Sequence, residues 1–486
     1  MKKLLLLFTA FILVVFTNCK WDDKKKDDCL DKSNTTTEHL YIKGRDSMPT
    51  VRLDRAYRCN EYIISFCDQD PVLRDKVHAF LLRKGATQLN TCPCSGAIEL
   101  WNSPVEPSPD GADATPPPGG QGWDFVKNFI VEDSTNLVDA LNKSEGQLSD
   151  AYPPKPKSPT VNLAIDDSGV EPVNSLLIPY LYRNSPRTFF CGTPIPEGRH
   201  GMNILNKSGL LSPPPLNPSD PLDTDGHGTF IGGIVAGIVE PKTSAGMPER
   251  FIANNYGINI KEIHTKIFND RHTGGDLFTA LCGIHYCIDK KEVKVINLSW
   301  VAVTATKEEA EKIKRVFCPT MEAVKTANIL LIAAAGNHSL YLNGDAKTWP
   351  ACFAQAPTSS TEPNYSDYVL SVGSWDLDST KIAYHSNFGT FVNMYAPGTN
   401  IKSIGLVSKG GIVIGKGTSY AAPYVSRISA ILIGLHPGSN PKGIPVIKMK
   451  NHILKYSEPL IETYRPYPTN IMLLDAYNIM KNHPSL

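Results

Sequence analysis

The pattern of apolar and polar positions separates a long C-terminal part of the chain from a more varied N-terminal part. From Thr160 onward, apolar runs of strand length alternate with stretches of helical periodicity. Runs this continuous are typical of parallel strands that helices bury on both faces. The candidate strands are 161–165, 258–267, 293–298 and 329–335. The pattern therefore predicts an α/β fold for residues 160–486, with a parallel sheet covered by helices on both faces.

A second, smaller unit is predicted at residues 52–103. Glu61–Phe66 has the composition of a strand, and Asp70–Lys84 carries an apolar stripe at helical spacing. Two short strands are expected to follow, around Thr87–Thr91 and around Ala97–Trp101. This β-α-β-β order predicts a small α+β domain.

Proline-rich segments follow this unit. Residues 104–122 include Pro116-Pro117-Pro118-Gly119-Gly120, a composition that cannot supply a core and predicts an exposed linker. Such a linker is where a protease would cut. Residues 123–159 are expected to form a helical lead-in over Trp123–Leu148 and then a second proline-rich linker.

The N-terminus has the pattern of an export signal. Two lysines precede an uncharged apolar run of thirteen residues, Leu4–Phe16, which is too short to span a bilayer. Residues 1–18 are therefore predicted to be a signal peptide that ends before Cys19. Residues 19–51 begin with a dense run of charge and predict a solvated tether. An ordinary secreted protein cut at another position is the alternative.

Composition adds two constraints. The 49 basic and 48 acidic residues balance, so no overall field favours nucleic acid or another polyanion. Of the eleven cysteines, ten follow Cys19, and an even number in an exported chain favours disulfides. No cysteine pair stands at CxxC spacing and no histidine pair joins the cysteines in a zinc pattern, so no metal site is predicted.

Three polar motifs interrupt the apolar pattern of residues 160–486. Asp167 ends the first candidate strand, before a Ser-Gly turn that keeps a carboxylate aimed inward. His227 lies between two glycines that leave its imidazole reachable, and Ser419 begins a strongly apolar helix whose positive end faces its oxygen. Taken singly, each residue also has a purely structural explanation, as a turn or cap aspartate, a core histidine or an N-cap serine.

Taken together, the motifs resemble those of the subtilisin-like serine proteases. Asp167-Ser168-Gly169, His227-Gly228-Thr229 and Gly417-Thr418-Ser419-Tyr420-Ala421-Ala422-Pro423 are similar to the catalytic segments of that family and occur in its chain order. Ala333–Asn337 is similar to the segment whose asparagine binds the oxyanion. The resemblance covers about residues 160–480.

The resemblance implies a serine endopeptidase that hydrolyses peptide bonds of proteins through an acyl-enzyme on Ser419. His227 would be the general base, Asp167 would orient it, and Asn337 would donate to the oxyanion. No cofactor takes part in such catalysis. Family members often bind structural calcium, but no ligand loop for it is identified in this sequence. Protein or peptide substrates are the expected partners, and nucleic acid is not.

The N-terminal segments carry two further resemblances. The unit at 52–103 is similar to the inhibitory propeptide of subtilases, which implies a zymogen and makes the propeptide a partner of the catalytic domain. An unrelated α+β module is the alternative. Phe16-Thr17-Asn18-Cys19 resembles the lipobox of bacterial lipoproteins. That resemblance implies lipidation of Cys19, membrane contact through this lipid alone, and location at the outer membrane or cell surface, with extracellular release after processing.

Departures from the family pattern leave alternatives open. Asp166 stands beside Asp167 where the family has an apolar residue, so Asp166 is a second candidate for the acid. Trp300 and Val301 replace leucine and glycine at the strand edge that pairs with the substrate backbone. The long gap between Asp167 and His227 predicts an inserted surface loop. A catalytically inactive lipoprotein of the same fold, which binds a peptide or partner, is therefore the alternative function.

Overall fold

The computed structural model describes seventeen stretches of the chain, which hold five sheets, two of them large. The stretches are 35–42, 51–67, 70–93, 95–107, 122–133, 159–183, 189–190, 193–194, 200–205, 221–238, 256–268, 275–290, 292–357, 362–409, 411–437, 444–462 and 469–486. The predicted signal peptide, Cys19 and the charge run after it lie outside these residues. None of the helices in the described stretches is both long enough and apolar enough to cross a membrane.

The described residues between Thr35 and Asp133 form an N-terminal module. Its elements are β1 (Thr35–Ile42), β2 (Val51–Phe66), α1 (Pro71–Arg83), β3 (Thr87–Thr91), β4 (Ile98–Asn102), β5 (Trp123–Phe129) and β6 (Glu132–Asp133). Antiparallel pairing gives the sheet order β1-β2-β4-β3, with β5 also on β2. The α1 helix begins where Asp70 accepts the Val72 N–H, and it buries Val77, Phe80 and Leu81. The predicted β-α-β-β order is thus present inside a larger sheet.

Two sequence predictions about this module are wrong. Trp123–Phe129 is a strand, β5, and not part of a helix, because it pairs with β2 and buries side chains on both of its faces. Thr35–Ile42, expected in the solvated tether, is the edge strand β1. Because β4 and β5 both pair with β2, a cut in the linker at 104–122 would leave both flanking strands in one sheet.

Residues from Thr160 to the C-terminus form a C-terminal domain. Its strands are β7 (Thr160–Asp167), β8 (Phe189–Phe190), β9 (Thr193–Pro194), β10 (Gly201–Asn203), β11 (Asn259–Lys266), β12 (Val293–Leu298), β13 (Trp300–Thr304), β14 (Leu330–Ala334), β15 (Lys347–Trp349), β16 (Val369–Asp376), β17 (Lys381–Ile382), β18 (Met394–Pro397), β19 (Ile401–Ile404), β20 (Ile412–Gly415), β21 (Glu458–Glu462) and β22 (Thr469–Leu473). Its helices are α2 (His227–Ala236), α3 (Leu277–Asp289), α4 (Lys307–Ala327), α5 (Thr418–Leu435), α6 (Val446–Lys455) and α7 (Ala476–Lys481).

The main sheet of this domain confirms the predicted α/β fold. Its order is β10-β11-β7-β12-β14-β16-β18-β22-β21, and all neighbours are parallel up to β22. The pairs β21–β22 and β16–β17 are antiparallel, which makes the sheet mixed but mostly parallel. The α2 and α5 helices contact each other and the sheet, and α3 and α4 form a second contacting pair. The carboxyl ends of β7, β12 and β14 therefore meet at one edge.

Candidate active site

Two adjacent aspartates end β7, and the structure places only one of them against a histidine. Asp167 Oδ1 lies 2.7 Å from His227 Nδ1 and accepts the Ser168 N–H at 2.7 Å. Successive side chains of a strand point to opposite faces, so Asp166 faces the other way. Its Oδ2 accepts the Trp300 Nε1–H at 3.1 Å, and its Oδ1 accepts the hydroxyl of Thr265. Asp167, not its neighbour, is in position to orient the imidazole.

The two carboxyl groups also differ electrostatically. Burial raises the pKa of Asp166 well above its ordinary value, and the hydrogen bonds from Thr265 and Trp300 only partly oppose that rise. Burial raises the pKa of Asp167 as well, but the charge and hydrogen bond of His227 act in the opposite direction. A histidine therefore opposes the effect of burial on the pKa at Asp167, but not at Asp166.

Asp223 fixes the start of the helix that carries His227. Its Oδ1 accepts the N–H of Gly226 at 2.8 Å, and its Oδ2 accepts the N–H and hydroxyl of Thr229 at 2.9 and 2.7 Å. Ser168 joins this network by donating to Asp223 Oδ1 at 2.9 Å. The sequence reasoning missed Asp223. Its signal was an acidic residue just before a helix start, where carboxylates cap free N–H groups.

Close backbone contact holds this helix against the turn after β7. A Cβ atom on Gly228 would lie 2.1 Å from the carbonyl oxygen of Gly169. Gly169 itself has φ +100°, and a Cβ there would lie 2.1 Å from the carbonyl oxygen of Pro221. Only glycine fits at both positions. The two motif glycines therefore set the approach of the aspartate turn to the histidine helix.

Ser419 lies in the first turn of α5 and is completely buried. Its Oγ donates to the carbonyl of Ser299 at 2.9 Å, and the hydroxyl of Ser299 donates to the carbonyl of Ser419 at 2.8 Å. The ring of Tyr420, the next residue, lies 5.5 Å from the ring of His227. The positive end of α5 is thus aimed at the hydroxyl, and Tyr420 brings this turn of the helix close to the imidazole.

Asn337 follows β14 and faces the same helix start. Its Oδ1 accepts the Thr418 N–H at 2.9 Å, while the Thr418 hydroxyl accepts the Gly336 N–H at 3.0 Å. Gly336 has φ +98°, a conformation that lets the chain turn there. With its oxygen committed to Thr418, the amide of Asn337 has Nδ2–H donors for a ligand next to Ser419. The structure thus brings together all four predicted site residues other than Cys19.

The edge of the site is occupied by the chain's own N-terminal module. In β6, Glu132 pairs antiparallel with Val301, and Asp133 pairs with Trp300. Ile130 bridges to Asp276. Val301, which replaces a family glycine, therefore still accepts an extended chain beside it. The Trp300 side chain is fully buried toward Asp166 and does not enter the cleft.

A histidine next to Asn337 contacts this bound segment. His338 Nε2 lies 2.9 Å from Glu132 Oε2, and the His338 side chain is 18% exposed. Burial lowers the pKa of His338, but attraction and hydrogen bonding by the Glu132 carboxylate outweigh it and raise the pKa above its ordinary value. The backbone N–H groups of His338 and Leu340 both donate to Asn387 Oδ1, at 3.0 and 2.8 Å. The loop that carries His338 is therefore firmly held.

The described stretches hold no cluster of metal-binding side chains, and a cavity among them lies away from the four site residues. Within the described stretches, no group of three or more His, Cys, Asp and Glu side chains could hold a metal ion. A cavity of about 750 Å³ is lined by Cys67, Trp123 and Cys318 among others, but by none of the four site residues. The chemistry is therefore expected at the strand ends and not in that cavity.

Comparison with known proteins agrees with this arrangement. A family model described as the Subtilase family matches residues 161–463, more than half of the chain. "Subtilisin-like protease 1" of Pseudogymnoascus destructans is 27% identical over 235 residues, which is 47% of this chain and 48% of that protein. "Proteinase T" of Parengyodontium album is 30% identical over 221 residues, 44% of this chain and 62% of that protein. The chain spans about half the length of the first curated relatives it matches.

Two solved structures share the fold of the chain. Fervidolysin from Fervidobacterium pennivorans, a keratinolytic enzyme related to subtilisin, has a TM-score of 0.54 at 14% identity, and the match covers 91% of this chain and 63% of that one. The epidermin leader peptide processing serine protease from Staphylococcus aureus has a TM-score of 0.52 at 17% identity, covering 87% and 98%. At these identities the similarity establishes the fold alone, a mostly parallel sheet with helices preceded by an antiparallel α+β module.

Proposed function

The chain belongs to the subtilase family, and on that premise we propose that it is a serine endopeptidase that hydrolyses peptide bonds of proteins and is made as an exported zymogen. The observation that carries the proposal is the 2.7 Å bond between Asp167 Oδ1 and His227 Nδ1, with Ser419 in the first turn of α5, next to Tyr420, whose ring lies 5.5 Å from the imidazole. An orienting acid, a base and a nucleophile in one place are the requirements of acyl transfer.

Acylation begins at the hydroxyl of Ser419. The side chain turns from the Ser299 carbonyl to His227 Nε2, which accepts the proton as Oγ attacks the carbonyl carbon of the substrate. Asp167 keeps the Nδ1–H directed at itself, so that Nε2 is the basic nitrogen, and it stabilises the imidazolium. When the C–N bond breaks, the imidazolium gives its proton to the leaving amine.

Negative charge on the tetrahedral oxygen needs donors that are already in place. The Nδ2–H of Asn337 and the backbone N–H of Ser419 are the candidates, and a donor of this kind contributes about 3 kcal/mol to transition-state binding. Water activated by His227 then hydrolyses the acyl-enzyme and restores Ser419. None of these steps calls on a cofactor.

A fluorophosphonate probe tests the proposal directly, since it reacts with an activated serine. Processed wild-type protein is expected to be labelled on Ser419 and to degrade an unstructured protein substrate. The Ser419→Ala variant, which differs by one oxygen atom, is the control and is expected to do neither.

The alternative is an inactive protein that binds a peptide in the same cleft, and the occupied edge at Val301 is compatible with it. Folded, processed wild-type protein would then neither take up the probe nor cleave substrate, yet would still bind peptides. That combination of results would overturn the endopeptidase proposal.

The zymogen part of the proposal rests on the segment Ile130–Asp133. This segment lies in the cleft as a substrate strand would, with β6 paired to β13. Glu132 pairs with Val301 and Asp133 with Trp300, so the segment runs toward Ser299. The carbonyl of Ser299 accepts the hydrogen bond of the Ser419 hydroxyl. We therefore place the processing cut shortly after Asp133 and not in the linker at 104–122.

N-terminal sequencing of the mature fragment tests this placement. Wild-type protein is expected to give a new terminus between Asp133 and Pro159, and Ser419→Ala protein is expected to stay intact. A new terminus at 104–122 in the wild type would contradict the placement of the cut, while leaving the proposed chemistry untouched.

Export and lipid attachment at Cys19 are the last part of the proposal, and the sequence alone supports them. The apolar run Leu4–Phe16 and the residues before Cys19 are the basis for placing the protein at the outer membrane or cell surface. Incorporation of a labelled fatty acid into wild-type protein, compared with Cys19→Ser protein, tests it. Equal labelling of both proteins would refute the site.

A further inference from the structure

Among the described residues, two disulfide bonds cross the boundary between the N-terminal module and the C-terminal domain. Cys67, just after β2, is bonded to Cys318 of α4, and Cys92, just after β3, is bonded to Cys282 of α3. Their Cα–Cα distances of 5.4 and 5.5 Å are ordinary for disulfides. The two bonds attach different points of the module to different helices.

Every peptide bond between the two units lies inside both covalent loops. The loops run from Cys67 to Cys318 and from Cys92 to Cys282, so they enclose the linker at 104–122 as well as the segment after Asp133. A single cut in either place opens the backbone but leaves two pieces joined by two disulfides. Processing therefore does not free the module.

We propose that the processed protein is a disulfide-linked two-chain enzyme, in which the N-terminal module stays as a permanent subunit and is not released as a spent inhibitor. This inference rests on the proposed zymogen function. The partner of the domain surface formed by α3 and α4 is the chain's own module, before and after the cut.

Polar contacts across the same boundary fit a permanent subunit. Arg55 makes a bidentate pair with Glu309 of α4, at 2.6 and 2.7 Å. The Asp124 carboxylate pairs with Arg315, and Asn128 Oδ1 accepts the N–H of Phe278 at the start of α3. Bidentate arginine–carboxylate pairs of low exposure are among the stronger polar contacts in proteins. Both partner helices are thus matched by complementary groups on the module.

The apolar contacts across this boundary also indicate that the module is a permanent subunit. Module side chains belong to one continuous core with side chains of α4, so removal of the module would expose apolar surface on the domain. The module contributes Leu53, Tyr57, Ile63, Val126 and Phe129, and α4 contributes Ile313, Val316 and Phe317.

Covalent retention changes how substrate gains access to the cleft. The Ile130–Asp133 segment stays at an effective concentration on the order of millimolar even after the cut, because it cannot diffuse away. Substrate enters when this segment alone leaves β13, while β2 and β5 remain on α4. A lipid on Cys19 would likewise continue to hold the catalytic domain at the membrane after processing.

The linkage can be tested without any activity of the protein itself. A recognition sequence for a site-specific protease is inserted between Asp133 and Pro159 of the Ser419→Ala variant, and the folded protein is cut with that protease. We expect one band of undivided mass on a non-reducing gel and two bands after reduction. Two bands without reductant would overturn the inference, whatever the outcome of the labelling experiment at Ser419.

A cysteine variant provides the matched comparison. Changing Cys59, Cys67 and Cys92 to serine removes the described disulfide cysteines of the module, and the cut protein is then expected to give two bands without reductant. Cys352→Ser, which removes a buried free thiol, should still give one band. If the triple variant does not fold, reduction of the folded, cut parent replaces it, and module and domain are then expected to separate in mild denaturant. A single band from the triple variant would contradict the inference.

A separate observation, the contact between His338 and Glu132, carries a second inference. Glu132 lies in the substrate-like strand opposite Val301, and its carboxylate meets His338 Nε2 at 2.9 Å. His338 directly follows Asn337, and its backbone is fixed by Asn387. When a substrate strand replaces the segment, its side chain at the Glu132 position will meet the same imidazole.

We infer that His338 is a specificity-determining residue that selects an acidic side chain at the substrate residue paired with Val301. This inference rests on the proposed endopeptidase activity. An imidazolium beside a carboxylate gives a charge-assisted hydrogen bond, whereas a lysine side chain in the same place meets a like charge when the imidazole is protonated.

Peptide-library profiling of wild-type, His338→Gln and His338→Glu proteins tests the inference. Wild-type protein is expected to favour Glu over Lys at one position before the cut by about twofold to fivefold, the range of a partly exposed ionic contact. His338→Gln should reduce this ratio and His338→Glu should invert it. Unchanged ratios in a variant that still takes up the fluorophosphonate probe would overturn the inference, whereas loss of labelling in wild-type protein would instead refute the activity.

Discussion

Asp166 and Asp167 are neighbours in sequence, yet their carboxyl groups bind partners on opposite faces of β7. Asp167 holds His227 at 2.7 Å, and Asp166 accepts hydrogen bonds from Trp300 and Thr265. One carboxyl group is in position for catalysis, and the other is buried against Trp300 of the edge strand that the substrate would meet.

Asn substitutions at these two positions should therefore differ greatly in their effect on activity. Asp167→Asn is expected to lower kcat about ten-thousandfold, because the amide favours the wrong imidazole tautomer. Asp166→Asn should keep activity within a few-fold of wild type, since an amide can still accept from Trp300. Burst-phase kinetics of the two purified variants is the measurement, and a larger loss in Asp166→Asn would reverse the assignment.

The raised pKa of Asp166 predicts a dependence of stability on pH. The folded protein keeps a proton that the unfolded chain releases above about pH 4, so this contribution to the free energy of unfolding falls as pH rises toward the folded-state pKa. Asp166→Asn removes the titration. The Tm of the variant relative to wild type should therefore increase as the pH rises above about 4 in matched melting curves. A constant difference would show that Asp166 is already ionised in the folded protein.

Asn337 should affect the rate of the chemical step rather than substrate binding. Asn337→Ala is expected to lower kcat about a hundredfold to a thousandfold with little change in KM, because the donor acts on charge that develops only in the transition state. Asn364→Ala, at an exposed asparagine outside the site, is the control and should behave as wild type. A change confined to KM would argue for a substrate-binding role instead.

Asp223 is expected to act through His227 as a positioning residue. Asp223→Ala leaves the N–H groups of Gly226 and Thr229 without their acceptor, which should lower the free energy of unfolding by about 3 kcal/mol and reduce kcat as well. Asp223→Asn keeps one acceptor oxygen and should fall between wild type and Asp223→Ala in both. The pH profile of kcat should shift in folded Asp223 variants, because the histidine helix moves. Loss of stability with an unchanged profile would indicate a purely structural role.

Local patterns were sufficient where the chain near a residue decides its structure. The helix at Pro71–Arg83, the strand at Thr87–Thr91 and the buried strand at Val293–Leu298 follow from periodicity and from caps near them in sequence. The strand β5 was missed because its partner β2 lies about sixty residues away, and that pairing overrides the local preference of the segment.

The sequence by itself determined the α/β fold of the C-terminal domain and the identity of His227, Ser419 and Asn337 as candidates, because these signals are short-range patterns of apolar periodicity and motif spacing. Only the tertiary structure decided that Asp167 and not Asp166 faces the imidazole, since alternation along a strand separates the two side chains without saying which face holds His227. The same is true of the disulfides Cys67–Cys318 and Cys92–Cys282, whose cysteines lie 251 and 190 residues apart. Their pairing depends on how the N-terminal module sits on α3 and α4, a relation between distant parts of the chain that no local pattern encodes.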